Sequence, residues 1–154
     1  MNENKFLARQ FESLFDGNPW LDNTIMATLK DVSADKASAQ PKTVPNSIWQ
    51  IVHHMACWRQ HVLTRIKGDQ LQSPQDNFFS PVIDTSAKAW QTALDNLAKT
   101  QEEWLSFLEH QYDDDKASEK YKGTSYSVRD VIHGILQHDS YHLGQLVWLV
   151  KYNL

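Results

Sequence analysis

Apolar residues recur at intervals of three and four positions along four long stretches of this chain, and no stretch is a credible β-strand. This spacing is the period of an amphipathic α-helix, which must bury its apolar face against other elements. The four helices are predicted at residues 3–15, from 46 or 47 to about 67, from 84 or 85 to about 109, and from 127 nearly to the carboxyl end. The pattern therefore predicts an all-α four-helix bundle, and the length of 154 residues predicts a single domain over residues 1–154.

The segments between these helices carry turn and capping signals. Residues 16–19 are predicted to end the first helix, and Asn18 is predicted to cap a second segment that begins at the following proline. The apolar stripe of that segment is predicted to contain Trp20, Leu21, Ile25 and Leu29. The pattern leaves open whether the first two segments form one interrupted helix or a short hairpin. Ser33 begins a predicted helical turn, and Phe78 and Phe79 are expected to fold back onto the body of the protein.

Composition narrows the classes of function and the cellular location. The net charge is -4, with acidic and basic residues interspersed, so the chain lacks the basic surface that binding to nucleic acid requires. The amino terminus lacks the apolar core of a signal peptide, and no run approaches the roughly 18 apolar residues of a membrane span. Cys57 is the only cysteine, which excludes an intrachain disulfide and a thiolate metal cluster. We therefore expect a cytoplasmic protein that binds neither nucleic acid nor a membrane.

The last predicted helix carries two histidines that point in nearly the same direction. His138 and His142 lie four residues apart, which places them about 40° apart around a helix axis. Ile135 lies about 60° from His138, so both imidazoles face the apolar side of the helix. His133 lies almost opposite and is expected in solvent. Two imidazoles on one face can reach the same metal ion.

The second long helix offers a third imidazole at the border of its apolar face. With His54 as the origin, the apolar residues of this helix spread from about 40° to 160°. His54 lies just outside that border, whereas His53 lies almost opposite its centre and is expected in solvent. His61 lies near the same border but about 10 Å further along the axis, which is too far to share the ion.

The same histidines are compatible with roles that involve no metal ion, and two known metal-binding patterns are excluded. A histidine at a helix border is usually packed or exposed without a ligand role, and seven histidines make a four-residue spacing common by chance. The zincin pattern requires glutamate directly after the first histidine, where this chain has Asp139. The di-iron bundle pattern requires two Glu-x-x-His motifs, which this chain lacks.

Three segments together resemble the DinB-like (DinB/YfiT) superfamily of metal-dependent enzymes. They are SIWQIVHHMACW at residues 47–58, QHDSYHLGQ at residues 137–145 and DGNPWL at residues 16–21. The resemblance implies a four-helix bundle whose three histidines bind one divalent metal ion, most often nickel or zinc. Carried over by motif, the ligands are His54, His138 and His142. The resemblance further implies a homodimer, and some relatives are S-transferases or isomerases that use the thiols bacillithiol or mycothiol.

Asp139 is the least expected residue of the second motif, because it lies in the middle of the apolar sector of its helix. A buried carboxylate needs a partner or a proton. It either orients an imidazole, or acts as a base near the metal, or makes a structural hydrogen bond to a tryptophan or a neighbouring helix. Gln145 is a second candidate, for holding a metal-bound water or a substrate, with packing as its alternative, and Tyr141 has the same standing. Cys57 points away from the apolar stripe, and no role is predicted for it.

The chemistry of a three-histidine site sets the functional prediction. Three neutral imidazoles leave at least one coordination position open, which is typical of catalytic sites. An ion in such a site lowers the pKa of a bound water towards about 7 and deprotonates a bound thiol. We therefore predict a metal-dependent hydrolase or thiol (S-) transferase that acts on a small molecule or on a low-molecular-weight thiol. The alternative is a non-catalytic, stress-associated metal-binding bundle in which the ion joins two helices.

Overall fold

The computed structural model describes residues 2–152, and the described part of the chain is helical. Its seven helices are α1 (Glu3–Phe15), α2 (Ile25–Leu29), α3 (Ala34–Ser38), α4 (Ile48–Ile66), α5 (Ala87–His110), α6 (Asp114–Ser118) and α7 (Val128–Tyr152). Within residues 2–152 the β-structure is limited to one isolated antiparallel bridge between Lys120 and Ser127. The predicted all-α class is confirmed, and the four longest helices are those expected from the sequence.

Side-chain caps explain why α4 and α7 begin where they do. At the start of α4, the Gln50 amide N–H donates to the Ser47 hydroxyl at 3.2 Å, and the Ser47 N–H donates to Gln50 Oε1 at 3.1 Å. Gly68, with a φ of 116°, follows the end of α4 in a conformation that favours glycine. Before α7, Ser127 and Asp130 make the corresponding pair of bonds, at 2.8 and 3.2 Å. These boundaries agree with the sequence prediction.

Two predicted boundaries were wrong. No helix begins at Pro19, because α2 starts only at Ile25, where the Thr24 side chain accepts a hydrogen bond from Ala27 N at 3.1 Å. Trp20, predicted in an apolar stripe, is fully exposed, and residues 16–24 join two separate helices. The third long helix is capped by Ser86, and not by Asp84 or Thr85.

The long helices bury two apolar clusters with a polar layer between them. The first cluster includes Met55 of α4, Leu97 of α5 and Leu143 of α7. The second cluster includes Val62 of α4, Trp104 of α5 and Ile135 of α7. Between these levels the three helices contribute a set of buried polar residues, namely Arg59, Thr100, Gln101 and Asp139. A polar layer that contains the oppositely charged Arg59 and Asp139 therefore divides the apolar core.

The loop between α4 and α5 folds back as expected, and Phe79 packs against the first cluster. This loop is the element that covers the histidines described below. None of the described helices is long and apolar enough to cross a membrane.

Candidate metal centre

Three imidazoles meet between α4 and α7. His54 comes from α4, and His138 and His142 come from successive turns of α7. One ring nitrogen of each lies within 4.8 Å of the others, and the Nε2 atoms of His54 and His138 are 2.9 Å apart. Only 2% of His54 and 5% of His142 is exposed, and His138 is half-buried. The three histidines are close enough together to bind one metal ion.

The other histidines of these two helices lie outside the group, in line with their predicted positions. His53 and His133 are exposed, because each lies on the outer face of its helix. His61 is buried, yet its ring packs edge-on against Trp58 and Phe78, 5.3 and 5.7 Å away between centroids. His61 is therefore an aromatic neighbour of the site and not a member of the group.

The Nδ1 atoms of two imidazoles already have hydrogen-bond acceptors. His54 Nδ1 donates to the backbone carbonyl of Asn77 at 2.7 Å, since a carbonyl can only accept. His142 Nδ1 lies 2.7 Å from Gln145 Oε1, and the amide nitrogen of Gln145 donates to the Tyr141 hydroxyl at 3.1 Å. These bonds place the protons on Nδ1 and leave the lone pairs of Nε2 free to bind a metal. Such outer acceptors usually accompany metal-binding histidines.

The loop that supplies the Asn77 carbonyl has a strained backbone. Asn77 and Phe78 are consecutive non-glycine residues in the left-handed region, with φ values of 52° and 61°. The Trp58 indole N–H donates to Asn77 Oδ1 at 2.9 Å, which ties the loop to α4. The Phe79 ring then stacks on His54, with centroids 4.0 Å apart. Strain of about 1–3 kcal/mol per residue persists only where surrounding contacts hold it, most often at functional sites.

Asp139 lies at the inner side of the cluster and is fully buried. Its Oδ2 atom accepts a hydrogen bond from Arg59 Nε at 2.8 Å, and Arg59 is also fully buried. Further guanidinium N–H groups donate to Thr100 Oγ1 at 3.3 Å and to Gln101 Oε1 at 2.8 Å. The pair thus connects α4, α5 and α7.

The second oxygen of Asp139 has no hydrogen bond among the described residues. It lies 3.7 Å from Nδ1 of His138, which is likewise buried and without a partner. Of the three imidazoles, His138 is the one whose Nδ1 lacks an acceptor.

A model of the DinB superfamily matches residues 21–146, a span that contains all three histidines and most of the chain. The chain belongs to the DinB superfamily. No curated protein and no solved structure matches it. The resemblance stated from the motifs is therefore confirmed at the level of the superfamily.

Burial sets the protonation state of the DinB histidines. The pKa of His54 is lowered from 6.5 to about 4, mainly by burial and to a smaller extent by the neighbouring His142 and His138 rings, against the opposing effect of the Asn77 carbonyl. The pKa of His142 is also lowered, first by burial and then by His138. At neutral pH both rings are uncharged, which is the form that binds metals.

The lowered pKa of His54 predicts a pH dependence of stability. The unfolded chain protonates this ring near pH 6.5, whereas the folded chain protonates it only near pH 4. Because the unfolded state binds more protons between these values, the free energy of unfolding should fall as the pH drops from about 6.5 to about 4. Urea unfolding of the metal-free protein between pH 4 and 6.5 measures the effect. The free energy of unfolding of H54Q should change less with pH over this range. An equal slope in both proteins would contradict the pKa assignment.

The remaining candidates occupy the edges of this DinB site. Gln145 is half-buried and contacts His142 directly, whereas 64% of Tyr141 is exposed. Cys57 is half-buried, and its sulfur lies 3.5 Å from the exposed His53 ring and outside the group of three histidines. Burial raises the pKa of the Cys57 thiol, which makes it a weaker nucleophile at neutral pH.

Proposed function

We propose that His54, His138 and His142 bind one divalent metal ion, nickel or zinc, and that the protein is a metal-dependent hydrolase or thiol (S-) transferase. The observation that carries the proposal is the convergence of three imidazole nitrogens within 4.8 Å. Imidazole suits both metals, so the donors do not separate nickel from zinc. Among the described residues no fourth histidine, cysteine or carboxylate joins the group. Three protein donors are typical of catalytic sites, whereas closed structural zinc sites have four.

The donor atoms fit such an ion. A bound divalent ion would act as a Lewis acid that makes the deprotonated form of a water or a thiol available near neutral pH. The Asn77 carbonyl and Gln145 hold protons on the Nδ1 atoms of His54 and His142 and thereby direct both Nε2 lone pairs inward. The stacked Phe79 ring excludes water from one face of His54.

Asp139 is best explained as the residue that orients His138. Its free oxygen lies 3.7 Å from the unpaired Nδ1 atom of His138, and a small ring rotation would bring the two into hydrogen-bonding distance. A metal at Nε2 favours that rotation, because the other nitrogen then carries the proton. A role as a base at the reacting atoms is less well supported, since the carboxylate is fully buried and already bonded to Arg59.

The experiment that tests the proposed function is an assay of the metal-loaded protein. Nickel- and zinc-reconstituted samples should turn over at least one class among esters, amides and pairs of a thiol with an electrophile, and a chelator should remove that activity. No turnover in any class, combined with a large loss of melting temperature on chelation, would favour the non-catalytic metal-binding bundle. A sample that holds no metal ion would reject both functions.

We also propose that the four long helices form a four-helix bundle of the DinB type and that the protein is a cytoplasmic homodimer. Support for the bundle is that α1 packs on α5, while α4 packs on both α5 and α7. Support for a dimer, beyond the family resemblance, is the full exposure of Trp20 beside Leu21, 40% of which is exposed. A single cysteine is compatible with a reducing compartment.

A further inference from the structure

Two apolar grooves lie along the seam between α4 and α7, one on each side of the histidines. The first groove has a volume of 470 Å³ and reaches His138 at one end. Its walls include Trp58 and Val62 of α4 and Val131 and Ile135 of α7. This volume lies within the range of small-molecule sites, about 300–1,000 Å³.

The second groove has a volume of 430 Å³ and begins at Gln145, which contacts His142. Its walls include Ile51 of α4 and Trp148 and Leu149 of α7. The exposed fraction of the Trp148 side chain is 60%, so this wall is open to solvent.

The order of residues along the helices places the histidines between the two grooves. On α4, His54 lies between Ile51 of the second groove and Trp58 of the first. On α7, residues 130–138 line the first groove and residues 141–149 line the second, so the helices run antiparallel here. Resting on the proposed function, we infer that grooves and histidines form one furrow that binds a linear, mainly apolar molecule with its reacting bond at the histidines.

The charges along the furrow distinguish its two ends. Arg65, half-buried in the first groove, donates to the Lys122 carbonyl at 2.8 Å and forms no ion pair with a carboxylate among the described residues. Asp130 lines the same groove and remains ionised, but its Oδ2 atom is held by the Ser127 N–H and hydroxyl at the positive amino-terminal end of α7, which offsets its charge. None of the described residues that line the second groove is charged. The molecule therefore has an anionic end towards Arg65 and an uncharged apolar arm in the second groove.

Two glycines inside α7 leave open space over the grooves and thereby support the proposed binding furrow. Gly134 lines the first groove and Gly144 lines the second. A Cβ atom at either position would meet nothing within 4 Å, so packing within the described chain does not require glycine there. Glycine inside a helix is less stable than alanine, and these two positions leave space over the grooves at that cost. Each glycine offers a site where one added methyl group narrows a single groove.

The dimensions of the furrow define the probes. Residues 131–149 of α7 span about 27 Å, and each arm from the histidines is about 10 Å long. Hexanoate is a short anion for the first groove, hexadecanoate reaches along both grooves, and 1-hexanol is the uncharged control for hexanoate. Probes are used below their micellar concentrations, and binding is followed by the indole N–H signals of Trp58 and Trp148 in NMR spectra.

Hexanoate should shift the Trp58 signal, and its affinity should fall at least about tenfold in R65M. G134A should weaken hexanoate binding, whereas G144A should not. Hexadecanoate should shift both tryptophan signals and should be weakened by both glycine substitutions. 1-Hexanol should bind wild type and R65M equally. Equal hexadecanoate affinity in wild type, G134A and G144A, or hexanoate binding that R65M leaves unchanged, would overturn the furrow.

Two further measurements are needed. One distinguishes failure of the furrow from failure of the proposed function, and the other tests whether a second copy of this chain occupies the furrow. Metal stoichiometry is measured on the same samples. Probe binding without any metal binding would reject the proposed function alone, and metal binding without any probe binding would reject the furrow alone. Light scattering with and without hexadecanoate reports the oligomeric state. A dimer that dissociates on probe binding would identify a second copy of this chain as the occupant of the furrow and would overturn the inference.

Discussion

Replacement of His142 by alanine is expected to abolish stoichiometric metal binding, whereas H53A should bind as much metal as the wild type. His142 supplies one of the three imidazole nitrogens that converge among the described residues, and its hydrogen bond to Gln145 directs its Nε2 atom inward. His53 is adjacent to His54 in sequence, but its ring is exposed on the opposite face of α4. Metal analysis after reconstitution with nickel or zinc should give about one ion per chain for wild type and H53A, and none for H142A.

His61 provides the matched control for burial. Only 5% of it is exposed, the same fraction as for His142, yet it lies outside the group of three histidines. H61A should therefore retain the metal, and far-UV circular dichroism should show that all three variants keep their helices. Equal metal loss in H53A and H142A would reject the ligand assignment. A wild-type protein that holds no nickel or zinc would reject the metal centre itself.

Helical periodicity was sufficient to predict the elements that carry the site. The spacing of His138 and His142 placed both on the inner face of α7, and the border position of His54 separated it from His53. These predictions succeed because direction around a helix depends only on residue number once the helix exists. The boundary at Pro19 failed because several residues in that segment can cap a helix, and Thr24 does so.

The residues that sequence reasoning missed act through contacts between distant parts of the chain. Asn77 binds His54 with a backbone carbonyl, which leaves no signature in residue type. Arg59 is a missed residue whose position on its helix could have identified it from the sequence. It lies about 140° from His54, within the apolar sector of α4, as Asp139 lies within that of α7. Two opposite charges on facing apolar sectors predict a buried ion pair, because neither is stable there alone.

The buried pair should affect stability and metal binding in separable ways. D139A leaves the Arg59 guanidinium buried without its carboxylate, and the free energy of unfolding should fall by about 3–5 kcal/mol. The double variant R59M/D139L replaces both charges with apolar side chains between the two apolar clusters. Its free energy of unfolding should fall by less than that of D139A, because removing both charges avoids the unpaired one and leaves only the buried Gln101 amide without its donor. Chemical denaturation of the metal-free proteins measures both values.

Metal affinity should depend on the presence of the Asp139 carboxylate and not on the free energy of unfolding of each variant. The double variant lacks the acceptor for His138 Nδ1, so its affinity for zinc should fall about 10–100-fold although it folds stably. D139N should also lose affinity, because one amide cannot offer an oxygen to both His138 and Arg59. Competition with a chelator measures these affinities, and H53A is the control that should match the wild type.

If the double variant were stable and bound zinc as tightly as the wild type, Asp139 would have only a structural role. A stable double variant with weakened zinc binding would instead mean that the Asp139 carboxylate orients the imidazole, since the fold would then persist without either charge.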